Sequence, residues 1–346
     1  MSYNGHVQNV QATFTADAVL FDMDGTLTDS IAAVEAAWGK VAQDIGQDPA
    51  FVIAATHGKR AIDNLAQFKP HIKAHEMEAE VQEFEESILF FADAYSKHGP
   101  VSRELSPLPS GAATPALTAG SSTSSNSSRS SGAPSFGVYH TDARRPSSFV
   151  RRVSNRLSLL SSEGACCEDV FMEEIDVTEH WKEELEAKHM FEAWQIEAAA
   201  VDRSVRILPG VKKLMDSIPK GRYAVATSGA KTYAYGCMNR VGITPPKVTI
   251  TACDKRLKAG KPAPDPFLLA ASELGFDAKR CVVFEDSPSG IKAGVASGAT
   301  VIAVCTSHER SKIENCGAHF IVDTMEQVRV IPEGEHLKFV LVEGKQ

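Results

Sequence analysis

The residues with the clearest chemical potential are Asp22 and Asp24, which stand two positions apart directly after an apolar run at residues 19–21. That run predicts a buried strand, and open α/β sheets place their reactive groups at the carboxyl ends of strands. Gly25 then allows a tight turn, and Thr26 supplies a hydroxyl. No basic residue in this segment neutralises the two carboxylates. The pattern therefore favours a metal site with a carboxylate nucleophile.

A second polar segment follows a strand predicted at Tyr223–Ala226. There Thr227 offers a hydroxyl, and Ser228 and Gly229 offer backbone amides that can hold a phosphate oxygen. Alternatively, Thr227 or Ser228 is the N-cap of the next helix.

The third segment is a proline-rich turn at residues 260–266, which contains Lys261. An isolated lysine is commonly a solvated surface residue. Here the prolines restrict the backbone and aim the side chain. Lys261 could therefore neutralise the nucleophile and the phosphoryl oxygens as a compact positive charge.

The fourth segment ends a strand predicted at residues 281–284 with two adjacent acids, Glu285 and Asp286. In one interpretation Asp286 or Ser287 caps the following helix, with Pro288 near its first turn. In the other, the two carboxylates join those of the first segment at one edge of the sheet.

Charge balance at that edge predicts a bound cation. Two like charges about 4 Å apart repel by roughly 4 kcal/mol at an effective dielectric constant of about 20. A hard divalent cation with oxygen ligands offsets such repulsion, and Mg²⁺ is the usual one beside a phosphate. One lysine cannot do the same for the four carboxylates of Asp22, Asp24, Glu285 and Asp286.

The elements that must position these residues alternate between strand and helix beyond residue 208. This alternation predicts an α/β fold, a Rossmann-like parallel sheet covered on both faces. Residues 1–16 have the composition of a polar, frayed lead-in, and a last strand at 337–342 could extend an edge of the sheet. The predicted strands of the sheet are residues 18–21, 223–226, 248–251, 281–284, 301–304 and 320–322.

The chain between the first strand and the rest of the sheet has a helical pattern, which predicts an inserted helical cap. A Ser-rich tract interrupts the cap and is too polar to offset its ordering entropy, so we expect it to be disordered. The predicted divisions are a core at 17–30 and 206–346, a cap at 31–98 and 172–205, and the insertion at 99–171.

The chain has 346 residues, 43% of them hydrophobic, and a net charge of −8. The acidic balance argues against nucleic acid as a partner. The seven cysteines show no disulfide or zinc spacing, which indicates a reducing compartment. No apolar run reaches membrane-spanning length, and no secretory signal is evident. We therefore expect a cytoplasmic protein without a membrane span.

The four polar segments resemble, in order, the four motifs of the haloacid dehalogenase-like superfamily in its phosphatase and phosphomutase form. The resemblance implies that Asp22 is the nucleophile that forms an aspartyl-phosphate. It also implies that Asp24 protonates the leaving oxygen and then activates water. Dehalogenases of the superfamily lack an acid equivalent to Asp24. This residue therefore implies transfer of a phosphoryl group from an oxygen ester.

The same resemblance assigns the remaining core residues. Thr227 and Lys261 match the catalytic residues of the second and third motifs, and Ser228 and Gly229 would bind the substrate through their backbone amides. The implied ligands of Mg²⁺ are the side chains of Asp22, Glu285 and Asp286 and the backbone carbonyl of Asp24.

Residues 56–63, 206–210 and 224–229 are similar to segments of fungal glycerol-phosphate and 2-deoxyglucose-6-phosphate phosphatases. This similarity implies that His57 and Arg60, in the cap, bind the substrate.

The sequence thus predicts a Mg²⁺-dependent phosphatase of a small polyol or sugar phosphate. Two alternatives stay open: a sugar phosphomutase of the β-phosphoglucomutase type, and a non-catalytic regulatory protein that acts through the Ser-rich insertion. Basic residues upstream of Ser147 and Ser154 resemble kinase sites, which makes a protein kinase a candidate partner besides the phosphorylated metabolite.

Overall fold

The computed structural model describes residues 10–100, 189 and 193–344. The predicted kinase sites Ser147 and Ser154, and nearly all of the predicted insertion, lie outside the described residues.

The described residues form eleven strands and nine named helices. The strands are β1 (Val10–Ala16), β2 (Ala18–Phe21), β3 (Thr28–Asp29), β4 (Arg206–Ile207), β5 (Tyr223–Ala226), β6 (Thr249–Ile250), β7 (Cys281–Glu285), β8 (Thr300–Val304), β9 (Phe320–Val322), β10 (Val328–Glu333) and β11 (His336–Val342). The helices are α1 (Ile31–Asp44), α2 (Pro49–Thr56), α3 (Ala61–Phe68), α4 (Met77–His98), α5 (Val211–Ser217), α6 (Lys231–Arg240), α7 (Asp265–Leu274), α8 (Pro288–Ala296) and α9 (Arg310–Ile313). Residues 193–200 are also helical.

A six-stranded parallel sheet in the order β6-β5-β2-β7-β8-β9 forms the centre of the molecule. Its strands are short apolar runs because both faces are covered. In β2, Val19 and Phe21 pack into one core cluster, whereas Ala18 and Leu20 pack into the other. The alternation follows from the two-residue period of a strand. The predicted α/β class with a parallel sheet is confirmed.

The register of the sheet brings the polar segments together. Phe21, the last residue of β2, pairs with Val225 of β5 on one side and with Phe284 of β7 on the other. The residues that follow these three strands therefore emerge at the same edge. This is the edge at which the sequence predicts the reactive groups.

A second sheet corrects the prediction for both ends of the chain. Strands β1, β11 and β10 form an antiparallel sheet of their own, with β11 in the middle. Residues 10–16 are therefore a strand rather than a frayed lead-in, and β11 does not extend the parallel sheet. The ring of Phe14 stacks between Phe320 and Phe339, at 5.1 Å from each. These rings join the small sheet to β9. Their packing stabilises residues 10–16 as a strand through partners far along the chain, which the local polarity of the sequence does not reveal.

Helices α1 to α4 occupy the region after residue 30 in which the sequence has a helical pattern. Asp48, in the loop between α1 and α2, is the N-cap of α2, because its side chain accepts a hydrogen bond from the amide of Ala50 at 3.1 Å. The ring of Trp38 in α1 lies 4.1 Å from that of Phe84 in α4. Helix α4 has a buried apolar stripe that includes Val81, Ile88 and Phe91, and Glu85 is buried beside it.

None of the helices within the described ranges combines the length and the apolar character that a membrane crossing requires.

The stacked rings yield a stability prediction. We expect Phe339→Ala to lower the free energy of unfolding by about 3–5 kcal/mol, the usual cost of emptying a phenylalanine site in a core. Phe339 is 0% exposed. The measurement is equilibrium unfolding in urea.

Ile331→Ala is the matched control for this measurement, because Ile331 lies in the neighbouring strand β10 with 45% of its surface exposed. We expect it to change the free energy of unfolding by less than about 1 kcal/mol. Equal losses for the two variants would contradict a packed contact between the sheets.

Candidate active site

Asp22 is held at the end of β2 by a buried lysine. The ammonium of Lys261 donates to Asp22 Oδ1 and to Glu285 Oε1, the latter at 2.7 Å. Asp22 is 5% exposed, Lys261 is 3% exposed and Glu285 is fully buried. Burial lowers the pKa of Lys261, but the charges of Asp22 and Glu285 outweigh it and raise this pKa above the ordinary value. Lys261 is therefore a permanent cation.

A cluster of carboxylates surrounds this lysine. Asp22, Glu285 and Asp286 each offer an oxygen, and these oxygens lie within 4.8 Å of one another. Burial, with the neighbouring negative charges, raises the pKa of Asp22 to about 7 even though Lys261 lowers it. Burial and the charges of Glu285 and Asp22 also raise the pKa of Asp286. When all three carboxyl groups are ionised, one lysine leaves an excess of negative charge, which a bound cation would offset. With oxygen donors only, the cluster fits Mg²⁺.

The turn after Asp24 lets its backbone approach this cluster closely. Gly25 has φ of +75°, and a Cβ at this position would lie 2.2 Å from Asp286 Oδ2. Thr26 donates from its hydroxyl to Asp286 Oδ1 at 3.0 Å, and Ser307 donates to Asp286 Oδ2. The turn therefore requires glycine, and it orients one of the predicted metal ligands.

The side chain of Asp24 points away from the carboxylate cluster. The hydroxyls of Ser30 and Tyr233 both donate to Asp24 Oδ1, each at 2.5 Å. Burial raises the pKa of Asp24, and these two hydrogen bonds lower it in part. Within the described residues, the side-chain ligand cluster does not include Asp24. The roles predicted for the backbone carbonyl and the carboxyl group of Asp24 stay predictions.

The segment after β5 does not cap the helix that follows. Helix α6 begins at Lys231, and its N-cap residue is Ala230, whose side chain makes no cap. The capping alternative for Thr227 and Ser228 is therefore wrong. Thr227 Oγ1 instead accepts a hydrogen bond from the amide of Gly229 at 3.0 Å, and Ser228 donates to a carbonyl in the α2–α3 loop.

The segment after β7 follows both sequence interpretations. Ser287 is the N-cap of α8, because its hydroxyl accepts from the amide of Gly290 at 3.1 Å, and Pro288 is the first residue of the helix. Asp286 nevertheless stays in the carboxylate cluster. Glu285 Oε2 accepts from the amides of Asp286 and Ser287, both at 2.9 Å, which orients its other oxygen toward Lys261.

The α2–α3 loop closes over this edge of the sheet. Gly58 accepts a hydrogen bond on its carbonyl from Ser228 at 3.1 Å. A Cβ at Gly58 would lie 2.6 Å from Ser287 Oγ. His57 forms a hydrogen bond from Nε2 to Glu35 Oε1 at 3.1 Å, and its ring lies 5.3 Å from that of His308. His57 is therefore brought to the site.

Arg60 takes a different position from His57. Its guanidinium pairs with Asp63, with Nε and Oδ2 at 2.8 Å. The side chain lies over Gly260, where a Cβ would be 2.5 Å from Arg60 Nε. Arg60 does not line the cavity at the site, so its predicted contact with the substrate stays a prediction.

A cavity of about 80 Å³ lies between the helices and the edge of the sheet. Its volume suits a small molecule rather than a polymer. The residues that line it include Asp22, Asp24, His57, Ser228, Gly229 and Asp286, which the sequence predicts, and Glu85, Tyr233 and His308, which it does not.

Glu85 is the most unusual of the residues that sequence reasoning missed. It is 2% exposed, and its Oε1 accepts from the amide of Ala230 at 2.5 Å, so it supplies the cap that α6 otherwise lacks. Burial raises the pKa of Glu85 to about 8, although the amide of Ala230 lowers it. A carboxylate inside the apolar stripe of α4 is the signal that could have found it.

A family model of the haloacid dehalogenase-like hydrolases matches residues 139–298. This range contains the second, third and fourth motifs, whereas Asp22 and Asp24 lie before it. The predicted resemblance to this family is confirmed by the model and by the curated relatives.

Three curated relatives illustrate the similarity. Glycerol-1-phosphate phosphohydrolase 2 of Saccharomyces cerevisiae is 37% identical over 139 residues, which are 37% of this chain and 54% of that protein. 2-Deoxyglucose-6-phosphate phosphatase 2 of the same yeast is 32% identical, over 38% of this chain and 61% of that protein. Hexitol phosphatase A of Escherichia coli is 25% identical, over 91% and 95%. The chain thus spans about half the length of the first of these relatives. All three are named as hydrolases of phosphate esters, in agreement with the predicted enzyme class.

Solved structures share the fold. A β-phosphoglucomutase of Clostridium difficile has a TM-score of 0.50 at 16% identity, over 91% of this chain and 93% of that one. A haloacid dehalogenase-like hydrolase of Entamoeba histolytica also has a TM-score of 0.50 at 16% identity, over 90% and 95%.

The buried carboxyl of Glu85 predicts a pH-dependent difference in stability. Its pKa in the folded protein, about 8, lies above its ordinary value of 4.5. Its proton therefore stabilises the fold fully below about pH 4.5, and this contribution is lost as the pH rises through about 8. An amide does not ionise. We expect the melting temperature of Glu85→Gln, relative to the wild type, to rise between pH 5 and 8 and then level off.

Differential scanning fluorimetry across this pH range measures the difference, in which groups common to both proteins cancel. Glu78→Gln is the matched control, because Glu78 is an exposed glutamate in the first turn of α4. A difference for Glu85→Gln that is as flat as that of the control would show that Glu85 is ionised throughout.

Proposed function

Because this chain is similar to the haloacid dehalogenase-like hydrolases in sequence and fold, we propose that it is a Mg²⁺-dependent phosphatase. Its proposed substrate is a small polyol or sugar phosphate, and its proposed intermediate is an aspartyl-phosphate. The observation that carries the proposal is the buried Asp22 beside Lys261 at the carboxyl end of β2. The names of the curated relatives support the substrate class.

In the first proposed step, a carboxylate oxygen of Asp22 attacks the phosphorus of the ester. The bond between phosphorus and the ester oxygen breaks, and Asp24 gives its proton to the leaving alcohol. The raised pKa of Asp24 suits this role, since a general acid works best when its pKa lies near the working pH.

In the second proposed step, water attacks the phosphorus of the aspartyl-phosphate. Asp24, now ionised, takes a proton from this water. The bond between phosphorus and the oxygen of Asp22 breaks, which releases inorganic phosphate and restores the Asp22 carboxylate. The same residue serves first as acid and then as base.

The phosphoryl oxygens need positive charge and hydrogen-bond donors around them. We assign Lys261 as the charge, and the hydroxyl of Thr227 with the amides of Ser228 and Gly229 as the donors. Mg²⁺, when bound, would neutralise the excess charge of the carboxylates and of the phosphate. Its proposed ligands are Asp22, Glu285, Asp286 and the backbone carbonyl of Asp24.

Helices α1 to α4 are the proposed cap. The cavity between them and the strand ends is the proposed place of the substrate. His57 is the proposed cap residue at the substrate, since it lines this cavity. The cysteines within the described residues are free thiols, which supports a cytoplasmic location.

A β-phosphoglucomutase shares the fold, so a mutase is the alternative to test. A non-catalytic protein would have no need to bury Asp22, Lys261 and Asp286 against one another.

We expect Asp22→Asn to abolish release of phosphate from glycerol 1-phosphate and 2-deoxyglucose 6-phosphate in Mg²⁺. A neutral amide neither attacks phosphorus well nor holds the metal. The measurement is inorganic phosphate released over time, and a chelator in excess should have the same effect on the wild type.

Asp216→Asn is the matched control, because Asp216 is an exposed aspartate on α5. It should keep wild-type turnover. Undiminished turnover in Asp22→Asn would overturn the proposed mechanism.

The products distinguish the phosphatase from the mutase. We expect inorganic phosphate and a free alcohol as the main products, without a bisphosphate activator, and a loss of roughly 10²–10⁴-fold in rate for Asp24→Asn. Phosphorus NMR identifies the products directly. An isomerised sugar phosphate with little free phosphate would indicate a mutase instead.

A further inference from the structure

The proposed chemistry does not use Glu85, a polar residue at the active-site cavity. Its carboxyl group comes from helix α4, and the residue lines the same cavity as Asp22 and Asp24. Next to it, α4 contributes the apolar side chains of Phe84 and Ile88 to the lining. Glu85 is thus a single polar group in an apolar part of the wall.

The two oxygens of this carboxyl group differ in their surroundings. Oε1 accepts the hydrogen bond from the amide of Ala230 and so ties α4 to the start of α6. Oε2 is buried and makes no hydrogen bond of normal geometry among the described residues, although the backbone amide of Tyr233 is near enough to lower the pKa of the carboxyl group. An unsatisfied buried polar atom costs roughly as much as the hydrogen bond that it lacks, and such atoms are rare in folded proteins. The tie to Ala230 explains the first oxygen and leaves the second unexplained.

The chemistry of the cavity limits what can reach Oε2. The proposed phosphate position is beside Lys261, where positive charge and amides are available. A phosphate at Glu85 would face a carboxyl group, and the amide of Ala230 there already donates to Oε1. The raised pKa of Glu85 keeps the group largely neutral near pH 7, so it can donate a proton in a hydrogen bond as well as accept one. A hydroxyl is the matching partner.

We propose that Glu85 is a specificity-determining residue whose Oε2 forms a hydrogen bond with a hydroxyl on the carbon skeleton of the substrate. The proposal rests on the proposed phosphatase function and deepens it. It identifies the substrate class as phosphate esters that carry a free hydroxyl away from the phosphate. It also explains how a mostly apolar wall can select a polyol over an alkyl chain, since a buried polar group disfavours a ligand that leaves it unpaired.

The test compares two esters with the same three-carbon chain, glycerol 1-phosphate and n-propyl phosphate, of which only the first has free hydroxyls. 2-Deoxyglucose 6-phosphate is tested as a second hydroxylated ester. Of the two hydroxylated esters, the one with the higher kcat/KM in the wild type is used. The quantity is the ratio of kcat/KM for this substrate to kcat/KM for propyl phosphate. We expect Glu85→Leu to lower the ratio by about tenfold or more, the effect of one hydrogen bond in a buried site. Loss of the tie to Ala230 should affect the hydrolysis of both esters alike, so the ratio isolates the hydrogen bond to the substrate hydroxyl.

Two variants separate binding from folding. Glu85→Gln keeps an oxygen for the amide of Ala230 and an N–H for the substrate, so it should retain most of the ratio. Glu78→Gln, on the exposed side of α4, should leave the ratio unchanged. If Glu85→Leu does not fold, Glu85→Ala, which lets water reach the amide of Ala230, replaces it.

The outcomes are distinct. A wild-type enzyme that hydrolyses none of these esters overturns the proposed function, and the role of Glu85 with it. An active wild type whose ratio does not change in Glu85→Leu overturns the role of Glu85 alone, because an equal loss on both esters is the result of a purely structural tie. A wild type that does not prefer the hydroxylated ester also overturns it.

Discussion

The buried ion pairs of Lys261 are the constraint on which the site depends. A lysine with 3% exposure is tolerated only because Asp22 and Glu285 flank it, and those carboxylates are tolerated only because the lysine is there. The second oxygen of Glu285 accepts from the amides of Asp286 and Ser287, between β7 and α8, so the charge cluster is tied to the backbone at the end of β7. The position of the nucleophile is thereby coupled to the packing of β2 against β7.

Most of the charge cluster was predictable because its parts are local. Asp22 and Asp286 directly follow or end apolar strands, the parallel sheet brings strand ends to one edge, and Lys261 lies in a proline-restricted turn between β6 and the next helix. Asp22, Lys261 and Asp286 could therefore be grouped before any coordinates were known. The direction of the Asp24 side chain could not be, since it depends on Tyr233, a residue on α6 whose spacing from Asp24 carries no signal. Roles such as nucleophile and general acid stay predictions from resemblance.

Long-range packing accounts for what the sequence did not reveal. Residues 10–16 alternate weakly and contain several polar residues, and they become a strand only because β11 lies beside them. Glu85 was not among the predicted site residues, because its partner, the amide of Ala230, lies 145 positions away along the chain. Arg60 is near the site in sequence, yet it pairs with Asp63. In the first two cases the contact that decides the structure is with a residue far along the chain. In the third, a neighbouring carboxylate binds the side chain that the sequence predicts to contact the substrate.

The short pair of strands β3 and β4 has a consequence for how the chain can evolve. Thr28 pairs with Ile207, and Asp29 pairs with Arg206, so the chain leaves the part that carries the parallel sheet and returns to it at neighbouring points. The geometry of the sheet therefore does not depend on the length of the chain between Asp29 and Arg206. Doubling the length of a flexible loop costs only about 0.6 kcal/mol in closure entropy. A lineage could therefore lengthen or replace this whole stretch, and with it the choice of substrate, while the chemistry at the strand ends is inherited unchanged.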